Sequence, residues 1–217
     1  MKISTIASLV ALAGLLLANT GAYADEPVAG TSPEDVLAVL KASFQEKGIA
    51  KMDRLDQSTM QKACSEADMK GKPLSKEDTA KITKEALASV KYPADGKYVG
   101  DWKAGEQVAQ NGRGLQLSDK PGAANGGNCY ACHQMTKTEI SFGNIGPSLL
   151  HYGKLRGASK EILEYTWNKI YNSHASAACS TMPRFGAAGI LTEAQLKDVM
   201  ALLFDPESPV NKDSVAQ

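Results

Sequence analysis

Gly127-Asn128-Cys129-Tyr130-Ala131-Cys132-His133 decides the reading of this 217-residue chain. Its last five residues spell Cys-x-x-Cys-His, the attachment signature of a c-type haem. Two thiols three positions apart can lie on one side of a single helical turn, each within reach of one haem vinyl group. His133 then comes up beneath the iron as its proximal ligand. A zinc knuckle or a thiol–disulfide redox pair also uses Cys-x-x-Cys, but neither needs a histidine at the next position. The motif predicts one covalently attached haem c.

The start of the chain reads as a targeting segment. Lys2 is the positive n-region, Ile6 to Ala18 is apolar, and Ala22-Tyr23-Ala24 offers a small-x-small cleavage pattern. We expect a signal peptide over residues 1–24 with cleavage after Ala24. The apolar run is shorter than the roughly 20 residues that a membrane span needs, and no cysteine sits at the cleavage point to take a lipid. Bacterial c-type haem is attached outside the cytoplasmic membrane, so export to the periplasm and the haem motif support one another. The 24 basic and 24 acidic residues balance, which gives no electrostatic reason to bind nucleic acid or an anionic membrane surface.

Four cysteines are present and the motif uses two. Cys64 and Cys179 remain, an even pair in an oxidising compartment, so a disulfide is the expectation and two separate buried thiols the alternative. Such a bond would staple a segment well before the motif to one just ahead of Met182.

Helix signals dominate the rest, with little sign of strands. Ser32-Pro33-Glu34-Asp35 opens a helix with a capping serine, a proline at the first helical position and acids facing the positive dipole end. Val36, Leu37, Leu40 and Phe44 follow at helical spacing, with Gly48 as a stop. A short helix is expected over Met52 to Cys64. Another begins at Ser75, with Ile82, Ala86, Leu87 and Val90 on one face, and Tyr92-Pro93-Ala94-Asp95-Gly96 ends it. Asp101 caps a helix through Trp102, Gln107 and Val108 to Gly112. A Gly-, Ala-, Asn- and Asp-rich loop then leads to the motif.

Ser159 caps a helix with Leu163, Trp167, Ile170 and Tyr171 on one face. Thr192-Glu193-Ala194-Gln195 is a capping box opening a last helix with Leu196, Val199, Met200 and Leu203 inward. Asp205-Pro206 ends it, and the tail to Gln217 is expected to be mobile. The fold class is all-α. Residues 25–99 form a helical extension, 100–211 a class I cytochrome c haem domain, and 212–217 a flexible tail.

Met182 leads the candidates for the second axial ligand. It lies in Cys179-Ser180-Thr181-Met182-Pro183-Arg184-Phe185-Gly186, where Pro183 holds the backbone extended. Met135 is too close to His133 to reach the opposite face, and Met200 falls on an apolar helix stripe. His151 or His174 would make a bis-histidine site. Arg184 and Phe185, beside Met182, are candidates for lining the edge where electrons pass. Pro147, in Ile145-Gly146-Pro147-Ser148-Leu149, can offer its carbonyl to His133, because a ligating imidazole usually donates its other ring hydrogen to an acceptor.

Six stretches together resemble the SoxX family. They are Gly127 to His133, Gly143-Asn144-Ile145-Gly146-Pro147-Ser148-Leu149, Tyr152-Gly153-Lys154-Leu155-Arg156-Gly157, Ile170-Tyr171-Asn172, Met182-Pro183-Arg184-Phe185-Gly186, and Asp205-Pro206-Glu207-Ser208-Pro209-Val210-Asn211. SoxX is the monohaem subunit of the SoxAX thiosulfate-oxidising complex, an L-cysteine S-thiosulfotransferase. The resemblance implies Cys129 and Cys132 as haem attachments, His133 and Met182 as axial ligands, and SoxA as partner in a heterodimer. It also implies oxidative coupling of thiosulfate to a cysteine of the SoxYZ carrier, with electrons leaving to a cytochrome acceptor. A haem with both axial positions filled by protein has no open site for a substrate. The expectation is therefore a non-catalytic electron relay, with the chemistry on SoxA. A stand-alone soluble electron-transfer cytochrome c is the alternative, and a haem enzyme with a displaceable sixth ligand is a further rival.

Overall fold

The computed structural model describes residues 32–212; the signal-peptide reading of residues 1–24 and the end of the tail fall outside them. Among the described residues, seven α-helices occur in the order α1 Pro33–Ser43, α2 Thr59–Met69, α3 Lys76–Ala88, α4 Trp102–Gln110, α5 Tyr152–Arg156, α6 Lys160–Tyr171 and α7 Glu193–Phe204. Among the described residues the only β-type pairing is an isolated bridge between Lys47 and Ala50. The described fold is all-α. No described helix is long and apolar enough to cross a membrane.

Local chemistry starts most of these helices. The Ser32, Ser75, Asp101, Ser159 and Thr192 side chains each accept a backbone N–H of the first turn, satisfying donors that have no partner within the helix. Two expectations change. The helix expected over Met52 to Cys64 is a short 3-10 turn, Met52–Leu55, followed by α2, whose cap is Ser58 in a reciprocal box with Gln61. The first helix stops at Ser43, before Gly48. Gly48 instead takes a left-handed conformation (φ 57°), where a Cβ would collide with the Leu117 carbonyl.

The core forms where α4, α6 and α7 meet. Gly105 lets α4 and α7 approach closely, because a Cβ there would overlap the Asp198 backbone. Buried Ala109 continues that face one turn on, and Leu196, Val199, Met200 and Leu203 of α7 are buried as their spacing implies. Trp167 of α6 is 1% exposed, meets Tyr98 edge-on and donates its indole N–H to the Lys91 carbonyl at 2.9 Å. That bond brings the segment after α3 into the core.

At the surface, two apolar spacings do not lead into the core. Leu87 of α3 is exposed, and α1 buries none of its residues, so its apolar stripe does not contribute to the core. Beyond Asp205 the chain stays packed as far as Asn211, the last residue of the domain expected over 100–211. The Ser208 hydroxyl donates to the Leu202 carbonyl at 2.6 Å, Asn211 Nδ2 donates to the Leu203 and Asp205 carbonyls, and Val210 is fully buried. These side chains take up carbonyls that the end of α7 leaves open.

Gly105→Val should destabilise the protein by about 2–3 kcal/mol through overpacking at the α4–α7 contact. Thermal melting checks this; an unchanged midpoint would show that the two helices do not need their close approach.

Candidate functional site

The site begins at the C-terminal end of α4. Backbone bonds from Gly127 N–H to the Val108 carbonyl (2.8 Å) and from Asn128 N–H to the Asn111 carbonyl (3.0 Å) lock the entry to the motif. Asn128 takes a left-handed conformation (φ 48°), and Cys129–Ala131 follow as one 3-10 turn. Tyr130, one of the two variable positions, is the anchor. It is buried, and its hydroxyl donates to the Glu106 carboxylate of α4 at 2.9 and 3.0 Å. Burial, with the Glu106 charge adding to it, raises the Tyr130 pKa, so the phenol stays protonated as a donor.

Cys129 and Cys132 are both free thiols. Burial pushes the Cys129 thiol up to about 12. A thiol held that far from its thiolate is a poor exchange nucleophile and a poor zinc ligand. Among the described residues no group of three or more His, Cys, Asp or Glu side chains is arranged to hold a metal ion.

His133 is oriented from the other side of the motif. Its Nδ1 lies 2.7 Å from the Pro147 carbonyl. A carbonyl only accepts, so Nδ1 carries the hydrogen, and in the neutral ring Nε2 is the nitrogen with the lone pair. The 143–149 segment is pinned across the motif by Gly143 N–H to Tyr130 carbonyl (2.9 Å), Gly146 N–H to Cys132 carbonyl (2.8 Å) and Leu149 N–H to Gln134 carbonyl (2.7 Å). Gly146 must be glycine, since a Cβ would sit within the His133 ring. Two unbridged thiols on one turn and an imidazole nitrogen with a directed lone pair are the donor set that covalent haem attachment requires.

The other sulfur and imidazole candidates separate by burial. Met135 and Met200 are 1% and 0% exposed and belong to the core. Met182 packs on the same core cluster as Cys129 but is only partly buried, and it lines a cleft of about 410 Å³ between α2 and its own loop. His174 is buried with Nδ1 against the Met60 sulfur and Nε2 donating to the Ser180 carbonyl at 3.2 Å, so both ring nitrogens are engaged. His151 starts α5 in a left-handed conformation, its N–H on the Val210 carbonyl. Arg184 lines the cleft, while Phe185 is buried in the core.

Cys64 and Cys179 are joined in a disulfide with Cα atoms 5.6 Å apart, connecting α2 to the start of the Met182 loop. The sequence did not point to Asn172, Ser173 and Ser180, which hold that loop. Their short polar side chains resemble those of any turn, and the partners that matter, the Met182 carbonyl for Ser173 and Ser89 for Asn172, are not their sequence neighbours.

No protein-family model matches the chain. A relative described as an uncharacterized lipoprotein of Aquifex aeolicus (strain VF5) is 38% identical over 206 residues, covering 91% of this chain and 96% of that protein. The chain belongs to the family of that lipoprotein.

Two outcomes follow from these contacts. Replacing Cys64 and Cys179 by serine should cost about 2–5 kcal/mol, read from denaturant or thermal unfolding. Burial holds the His174 pKa below its ordinary 6.5, with Arg184 and Lys169 adding to the effect and the Ser180 carbonyl opposing it. Below the ordinary value the unfolded chain binds the proton more readily, so this contribution is complete above about pH 6.5 and declines as the pH falls toward the depressed value. Melting between about pH 7 and 5 should therefore fall more steeply for the wild type than for His174→Gln; equal slopes would contradict it.

Proposed function

We propose that this chain is an exported monohaem c-type cytochrome, the electron-relay subunit of a SoxAX-type thiosulfate-oxidising complex. The observation that carries the reading is the Cys129–Cys132–His133 group with His133 Nδ1 on the Pro147 carbonyl at 2.7 Å. That contact is the outer support a metal-bound imidazole needs, supplied by the Gly-Pro turn on which the resemblance to SoxX partly rests. The order of helices around the motif, with α4 and α7 closing on each other, supports a class I cytochrome c domain. The relative's name of lipoprotein supports export and is compatible with a periplasmic location.

Bound there, haem c supplies a one-electron couple, whose potential methionine–histidine ligation raises. The protein's own part is to hold and enclose. Cys129 and Cys132 would fix the position of the ring, and the Pro147 carbonyl would keep His133 in one tautomer. The loop ahead of Pro183 would offer the Met182 thioether as the second axial ligand, so that the resting iron would hold no reactant. Two electrons must leave when a carrier thiolate and the outer sulfur of thiosulfate join as a cysteine S-thiosulfonate. That bond would form on SoxA, with SoxYZ as the carrier, and this chain would pass the electrons singly to a downstream cytochrome.

Produced in a host that matures c-type cytochromes, the protein should carry the added mass of one haem that survives denaturation. The Cys129→Ala, Cys132→Ala double variant should lose it. Purified from its native source, it should arrive as a heterodimer with a SoxA-type subunit. A haem-loaded protein that purifies alone would favour the stand-alone carrier, and a mature chain without covalent haem would end both readings.

A further inference from the structure

The Met182 loop is gripped from one short turn. At the end of α6 the Tyr171 carbonyl accepts the Gly186 and Ala187 N–H groups at 3.0 Å each. Ser173, fully buried, donates its hydroxyl to the Met182 carbonyl at 2.6 Å. His174 Nε2 donates to the Ser180 carbonyl at 3.2 Å, and Ser180 Oγ accepts the Met182 N–H at 3.2 Å. The loop is thus restrained before, at and after Met182; at Met182 the Ser173 hydroxyl holds the carbonyl and Ser180 Oγ holds the N–H.

That turn is held in its turn by the N-terminal segment. Asn172 Nδ2 donates to Ser89 Oγ at 2.9 Å and lies 3.4 Å from the Ala86 carbonyl, both at the end of α3. Asn172 Oδ1 accepts the His174 N–H at 3.2 Å, tying the same side chain to the turn it braces. The Cys64–Cys179 disulfide fixes the loop's other end to α2.

We infer that Ser173 is the positioning residue for Met182, and that the N-terminal segment acts through α3 and Asn172 to set how often the thioether swings away. The inference rests on Met182 being the iron's second axial ligand. A thioether is a neutral, weak ligand, so the resting position of its loop decides how much of the time it is in place. An external ligand binds only the fraction from which Met182 has left, and its apparent affinity rises in proportion to that fraction. Loosening the clamp is therefore read as tighter binding of an outside base.

The test is titration of the ferric, haem-loaded mature protein with imidazole, with the far-red methionine-to-iron absorption band recorded for each variant. Ser173→Ala should bind imidazole about tenfold more tightly, as expected when one buried hydrogen bond is lost, and its band should weaken. Ser173→Thr, which keeps the hydroxyl, should return both toward wild type. Ser89→Ala, at an exposed position that does not threaten folding, should move both in the same direction by about twofold or more. Unchanged affinity and band in Ser173→Ala, or in Ser89→Ala where Ser173→Ala does not accumulate, overturn the inference, provided Met182→Ala abolishes the band. A band that survives Met182→Ala removes Met182 as ligand, and with it both the functional reading and this inference.

Discussion

The bond from His133 Nδ1 to the Pro147 carbonyl is the constraint on which the rest of the site depends. It engages one ring nitrogen and so directs the other, giving a part-exposed histidine the orientation that a metal-bound imidazole would need. The bond is made possible by a chain of backbone contacts. Gly143, Gly146 and Leu149 donate to Tyr130, Cys132 and Gln134, and Gly146 clears the space the ring occupies. Tyr130 in turn ties the motif to α4 through Glu106. A shift of the 143–149 segment would change the direction of the His133 lone pair without touching either thiol.

The loop that carries Met182 is built differently. Met182 is delivered by an irregular loop whose position comes from outside it, through the turn after α6, from α3, and from a disulfide to α2. The N-terminal helices contribute little to the core; α1 and α2 bury none of their residues and α3 buries two. Their contacts concentrate on the 172–179 region and on the loop at Leu115 and Leu117, which receives Arg54 and the Gly48 turn. This arrangement makes the N-terminal segment a brace for the loop that carries Met182.

Features set by neighbours in sequence could be read from the chain alone. The caps at Ser32, Ser75, Asp101, Ser159 and Thr192 are local contests between side chain and backbone, and the inward stripes of α6 and α7 follow helical period. The Cys-x-x-Cys-His motif is local too. Features set by distant partners were hidden. Ser208 and Asn211 look like tail residues until the open carbonyls of α7 are beside them, and Ser173 looks like a turn serine until the Met182 carbonyl is. Leu87 kept the period of a buried residue yet faces outward, because α3 meets the rest of the protein through one narrow face around Ile82 and Ala86.

The central claim is an iron held between the His133 imidazole and the Met182 thioether. Near-infrared magnetic circular dichroism of the ferric mature protein at neutral pH addresses it most directly. The account predicts a low-spin iron with the charge-transfer signature of histidine–methionine ligation. A high-spin or water-ligated iron, or a bis-histidine signature, would contradict it.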